Sequence, residues 1–402
     1  MNDTKNRKIS SVICEYNPFH NGHEYMLRKM REGGATHIIA CMSGNFTQRG
    51  EAAVFDKYTR AKAALSCGAD LVIELPVSFA CSWAERFALG GVSLIDSFGC
   101  VDEIAFGSEC GDIKLLKTAA CAISDDRMKT VLKKYLDTGM TFAAARQKSV
   151  EEIYGKELSV VLSSPNDILG IEYIKALQQI GSTIKPSTIM RTGTAHDSTE
   201  TNGTITSAMH IREMTTAGEN YTDYIPEKAA RIYSQAKNLP PKQGRMAKLE
   251  AAILYKLRMM SKNELADVPE VGEGLENRIY EAVRKSTSLH ELIFNIKSKR
   301  YTHARIRRII MYAFLGIGKT NMQTLPQYIK ILGFNDKGRE ILKFAGNTVK
   351  LPLVVRYADS YHLSDSAKAM YEIECRCDDI YALSGETADI CGRNCTSPII
   401  IL

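Results

Sequence analysis

The feature that most constrains this chain is an alternation in its first half, where short apolar runs are separated by stretches with helical spacing. Runs at residues 9–15, 37–42, 71–75, 101–106 and 184–190 are flanked by Gly, Pro or Asn turn signals. Between them, residues 22–31, 56–66, 82–95 and 167–179 carry apolar side chains at helical intervals. Apolar runs of about four to eight residues read as buried strands, and strands alternating with helices predict a parallel sheet with right-handed crossovers. In such open sheets ligands bind beyond the carboxyl ends of the strands. That rule directs attention to residues 15–23, 42–49 and 107–109.

Residues 207–216 form a further predicted helix, ending at Gly218. A domain boundary is expected there. Residues 1–218 would carry the α/β sheet, and residues 219–402 a mainly helical, Lys/Arg-rich domain with a loop at Leu239, Pro240 and Pro241. The chain has 402 residues, 45% hydrophobic and 24% charged, an ordinary globular balance. No stretch approaches the ~18 consecutive apolar residues that span a bilayer. Lys5, Arg7 and Lys8 precede an apolar run too short for a signal peptide, so the expectation is a soluble cytoplasmic protein. Eleven cysteines are too few for a disulfide scaffold. Cys41, Cys67, Cys81 and Cys121 lie in apolar surroundings and read as buried free thiols.

The strongest local signal is Asn17-Pro18-Phe19-His20-Asn21-Gly22-His23. Two histidines three apart, where a strand gives way to a helix, fall on one side of its first turn. The first-turn N–H groups lack intrahelical partners, so the same spot attracts anions. Gly22 lets a ligand approach the backbone. The imidazoles could hydrogen-bond phosphate oxygens while charge builds at the phosphorus under attack. A zinc site is the other reading; it needs further ligands, of which Glu15 could be one. The Asn-Pro turn and the intervening Gly fit phosphate better.

The segment His20-Asn21-Gly22-His23 resembles the His-x-Gly-His signature of nucleotidyltransferases and class I aminoacyl-tRNA synthetases, which follows the first strand of a Rossmann-like sheet. Residues 205–212, Ile-Thr-Ser-Ala-Met-His-Ile-Arg, are similar to those families' second phosphate element, with Met209 where that element has threonine. Segments 15–23, 42–50, 55–57, 70–76, 106–109 and 164–167 resemble the tRNA(Met) cytidine acetate ligase family, in order. The resemblance implies a Rossmann-like nucleotidyltransferase domain followed by a helical tRNA-binding domain. The implied enzyme activates acetate with ATP and Mg2+ to acetyl-adenylate, then acetylates N4 of the wobble cytidine of elongator tRNA(Met). His20 and His23 are the implied catalytic residues. Implied ATP contacts are Ile13, Cys14, Glu15, Tyr16, Asn17, Pro18, Phe19, His20, Asn21, Gly22, His23, Glu24, Tyr25, Met26, Gly107, Asn166 and Arg191, with Ser207 and Arg212 on the β- and γ-phosphates. The segment after Arg191 departs from the family's spacing, so His196 is not carried over. No residue stands out as the base for the amine proton.

Residues 292–335 contain no Asp or Glu. Lys297, Lys299, Arg300, Arg305, Arg307 and Arg308 form a one-signed stripe suited to an RNA backbone, with a solvated helix face as the bland alternative. Ile306, Ile309, Ile310 and Ala313 mark the apolar side of that helix. Cys375, Cys377, Cys391 and Cys395 lack paired zinc-knuckle spacing, and the first two alternate with charged residues as on a strand; free thiols without a bound metal are expected. Two other functions fit parts of the sequence. One is a small-molecule adenylyltransferase or carboxylate–amine ligase resembling pantothenate synthetase, which needs no basic helices. The other is a non-catalytic nucleotide- or RNA-binding scaffold.

Overall fold

A computed structural model describes residues 7–191, 203–236 and 245–402; Thr192–Asp197 with His196, and the Leu239–Pro241 loop, lie outside the described residues. The five predicted strands form, as β1 (Ile9–Cys14), β2 (His37–Ser43), β3 (Leu71–Leu75), β4 (Glu103–Ser108) and β5 (Lys185–Met190). They pair in parallel in the order β5-β4-β1-β2-β3. The chain winds outward from β1 in two directions, so the β1/β4 boundary is the topological switch point where doubly wound sheets bind ligands.

Alternate residues of each strand supply two cores, because side chains in a strand point to opposite faces. Ile9, Ile13, Ile39, Cys41, Leu71 and Ile73 enter one, against Phe87, Val92 and Ile95 of one helix and Ile171 and Ile174 of another. Val12, Ile38, Ala40, Met42 and Val72 enter the other, against Leu27, Met30, Ala61 and Ala64. The helices concerned are α1 (Asn21–Glu32), α2 (Lys57–Ser66), α3 (Ala84–Asp96) and α4 (Pro165–Gln179). Ser207 caps α5 (Ala208–Ala217), its hydroxyl accepting from the His210 N–H.

The C-terminal half is mainly helical but also extends the sheet, which the sequence reading did not anticipate. β6 (Ile329–Phe334) pairs antiparallel with β3, while β7 (Leu353–Val354) and β8 (Ile400–Ile401) pair parallel with β6. The expected division at 218/219 therefore does not coincide with a division of the sheet. Lys330, on β6, is buried and donates to the Tyr371 hydroxyl and the Asn394 carbonyl. Helices α6 (Met246–Met259), α7 (His303–Leu315) and α8 (Asp365–Tyr381) build a third core that also takes in Phe46, Val77 and Cys81. Buried Lys57 ties these layers together. Its ammonium lies 2.7 Å from both Glu74 of β3 and Asp378 of α8, and Asp378 also accepts from Asn45 at 2.9 Å. Among the described residues no helix is long and apolar enough to cross a membrane.

Candidate active site

His20 is the N-cap of α1, and His23 is the third residue of that helix. The two close a capping box: His20 Nδ1 accepts from the Gly22 N–H at 3.0 Å, and His23 Nδ1 accepts from the His20 N–H at 3.2 Å. Their ring centroids lie 3.7 Å apart. Each δ nitrogen is thus an acceptor, so in the neutral ring each ε nitrogen carries the hydrogen and serves as a donor. Burial, and then the charges of His20 and Arg191, hold the His23 pKa well below its ordinary 6.5. A neutral imidazole with a fixed Nε2 donor is therefore the resting form of His23. A Cβ on Gly22 would meet His20 Cε1 at 2.9 Å, so the His20 ring demands glycine at that position. Tyr16 and Phe19 pack on His23 with centroids at 4.8 and 5.6 Å, fixing the ring from behind.

The imidazoles border a cleft of two adjoining lobes, of about 170 and 180 Å³, at the carboxyl ends of β1, β4 and β5. The first has an apolar wall from Val12, Met26, Phe106, Leu169 and Ile189, with Asn166 and the Gly107 backbone as polar points. That composition suits a heterocycle and its sugar. The second is lined by Gln48, Arg49, Arg191, Ser207 and Arg212, a polar and cationic set suited to phosphates. Glu15, His20, His23, Asn166, Tyr173 and Arg191 belong to both. Asn166 is held by Glu109, whose carboxylate accepts from its amide at 2.6 Å and from the Asp167 N–H at 3.0 Å. Arg212 donates to the Asn17 carbonyl at 3.1 Å, which ties residues 205–212 to the loop that leads into α1.

Of the residues that resemblance assigned to ATP, the structure brings Ile13, Cys14, Glu15, Tyr16, Asn17, His20, Gly22, His23, Tyr25, Met26, Gly107, Asn166, Arg191, Ser207 and Arg212 to these lobes. Pro18, Phe19, Asn21 and Glu24 do not line them. Phe19 is a core residue whose N–H donates to the Tyr233 hydroxyl, and the Asn21 amide bonds the carbonyls of Thr204 and Asp223. Sequence reasoning missed Leu169 and Tyr173, and it singled out none of Gln48, Arg49 and Thr206 although it pointed to their segments. Leu169 and Tyr173 lie on α4, where they look like ordinary apolar helix positions.

The basic segment comes out differently. Arg308 lies 2.6 Å from Glu270 with both side chains nearly buried, and Arg307 lies 2.7 Å from Glu51. Arg305 donates to the Glu270 carbonyl, and Lys297 to the carbonyls of Ser298 and Tyr301. Lys299 and Arg300 are exposed, Arg300 facing Glu273 across 3.3 Å. The stripe is acid-free in sequence but not in space, since Glu51, Glu270 and Glu273 come from other segments. Cys375 and Cys377 sit on α8, a helix and not a strand, and Cys121 is exposed, contrary to the expectation of burial. No group of three or more His, Cys, Asp or Glu side chains able to hold a metal occurs among the described residues.

Residues 7–392 match the family model described as HIGH Nucleotidyl Transferase. A tRNA(Met) cytidine acetate ligase from Thermoanaerobacter sp. (strain X514) is 40% identical to this chain, covering 98% of it and 100% of the relative. The protein of that name from Acetivibrio thermocellus is 36% identical over 98% of this chain and 100% of its own. Among solved structures, apo Thermotoga maritima TmcAL superposes with a TM-score of 0.93 at 33% identity, covering 98% of this chain and 99% of that one. The same protein bound with α-thio ATP gives 0.91 at 32% identity over the same shares.

Proposed function

This chain belongs to the tRNA(Met) cytidine acetate ligases within the HIGH nucleotidyl transferase family, and from that membership we propose how its cleft makes and spends an acetyl-adenylate. The enzyme is an ATP-dependent ligase joining acetate to a tRNA cytidine. In the proposed first step an acetate oxygen attacks the α-phosphorus of ATP, and the O–P bond to pyrophosphate breaks. In the second, N4 of the wobble cytidine of elongator tRNA(Met) attacks the acetyl carbon and AMP leaves. Two steps are needed because acetate alone would have to expel oxide, whereas AMP is a good leaving group. The cytidine amine is itself a weak nucleophile, its lone pair being delocalised into the ring.

The observation that carries this reading is the paired imidazole cap: two ε N–H groups, held by the backbone of one helix turn, at the junction of an apolar and a cationic lobe. Donors fixed in this way cost no reorganisation as charge builds in the transition state, and each contributes roughly 2–4 kcal/mol. Arg49, Arg191 and Arg212 line the cationic lobe, and to them we assign the leaving pyrophosphate. Mg2+ would be held by the phosphates of bound ATP, where it would neutralise charge on the leaving pyrophosphate. For tRNA we assign backbone contact to Lys299 and Arg300, with Arg307 held by Glu51 and Arg308 by Glu270. The enzyme works in the cytoplasm, where acetate, ATP and tRNA meet. Labelled acetate, ATP and elongator tRNA(Met) should yield label in N4-acetylcytidine together with AMP and pyrophosphate. Formation of ADP, or label in no nucleoside, would contradict the reading.

A further inference from the structure

We propose that Glu15 is the general base of the transfer step, taking the proton that the cytidine amine loses as it is acetylated; this rests on the ligase reading above. Acetate attacks ATP as an anion and needs no base. The amine does, because forming the C–N bond leaves a positive charge on nitrogen that must be shed before the intermediate collapses toward product.

Among the described residues that line the two lobes, Glu15 is the one carboxylate. It belongs to both, beside the imidazoles at which the adenylate would form. Its Oε1 accepts from the Gln48 N–H at 2.8 Å, and among the described residues Oε2 makes no hydrogen bond. The backbone beneath it is locked. Buried Arg60 donates to the Glu15 carbonyl at 2.6 Å, to the Ser43 carbonyl at 3.0 Å and to the Gly44 carbonyl. Tyr16, the next residue, is held at φ 48°, a region costly for a side chain of that size and persisting only where its surroundings impose it. The other candidates are committed elsewhere. His20 and His23 both use Nδ1 to accept backbone N–H groups, leaving Nε2–H as a donor. Glu109 spends both oxygens on Asn166 and Asp167.

The step balances. The N4 lone pair forms the C–N bond as the carbonyl pair moves onto oxygen, and Oε2 takes one N–H proton. The carbonyl then re-forms, the C–O bond to AMP breaks with its electron pair on the phosphate oxygen, and the carboxylic acid returns its proton to water.

The test uses full-length enzyme and Glu15→Gln, which keeps an oxygen for the Gln48 N–H. Acetate-dependent exchange of pyrophosphate into ATP reports the first step, and single-turnover acetylation of elongator tRNA(Met) reports the second. The variant should lose about 10²–10⁴-fold in transfer, much more than in exchange, and acetyl-adenylate should accumulate with tRNA present. Transfer within about threefold of wild type, or exchange and transfer falling together as for a nucleotide or Mg2+ ligand, would overturn the assignment. A wild-type enzyme without acetate-dependent exchange would instead remove the ligase reading on which it rests.

Discussion

The cleft at the end of β1 and the arginine-rich helix α7 both concentrate polar and cationic groups, but those groups are employed in opposite ways. In the cleft, backbone N–H groups of one helix turn occupy the δ nitrogens of His20 and His23 and turn both rings toward the two lobes. On α7 the guanidinium of Arg308 is absorbed by Glu270, and that of Arg307 by Glu51. A charge run read in one dimension counts cations; what matters for a partner is how many remain after the fold has supplied acids. The difference can be broken or sharpened by substitution at each place.

The largest effect belongs to the cleft. His23→Asn keeps the acceptor for the His20 N–H but removes the donor at the ε position. Acetylation turnover should fall about 10²–10³-fold with the thermal midpoint little changed, whereas His23→Gln, which places an amide near the ε position, should retain more activity. Equal losses would mean that the ring, not its donor, matters.

Next comes Arg308→Ala, which strands Glu270 in a nearly buried site. Removing one partner of such a pair costs about 3–5 kcal/mol, read as a lower denaturation midpoint. The salt dependence of tRNA binding should not change. A flattened salt slope with unchanged stability would return Arg308 to the RNA interface.

A smaller change is expected for Lys299→Ala with Arg300→Ala. Affinity for tRNA should weaken severalfold and the slope of log K against log salt should shrink by about 1–2, while acetate-dependent pyrophosphate exchange is unaffected. The smallest effect is on pH. The folded-state pKa of His23 lies below its unfolded value of 6.5, so the unfolded chain binds more protons in acid. The stability that His23 contributes is full above about pH 6.5 and falls on acidification, by no more than about 1.4 kcal/mol per pH unit. His23→Asn should flatten stability against pH in that range.

The same contrast explains what could be read in the sequence. β1 to β5 were legible because each is a continuous apolar run bounded by turn residues, and the paired-imidazole cap because its residues are neighbours in the chain. β6 was hidden: it begins in a stretch counted as basic, and Lys330 gives no sign that Tyr371 and Asn394 will bury it. Its antiparallel pairing with β3 joins segments more than 250 residues apart, a distance over which pattern carries no information. Tyr173 and Leu169 were invisible for a related reason: their helix has apolar residues on more than one side, and only its packing beside β4 decides which face the cleft. Cys375 and Cys377 were misread as strand positions because alternation over three residues cannot distinguish a strand from the buried and half-buried sides of a helix such as α8.

The most direct test of the central claim is exchange of labelled pyrophosphate into ATP, with and without acetate, for the wild type and for His20→Asn combined with His23→Asn. Acetate-dependent exchange in the wild type, reduced at least about 10³-fold in the double variant while it remains folded, is the predicted result. Exchange that persists in the double variant, or a wild type that exchanges equally well without acetate, would contradict it.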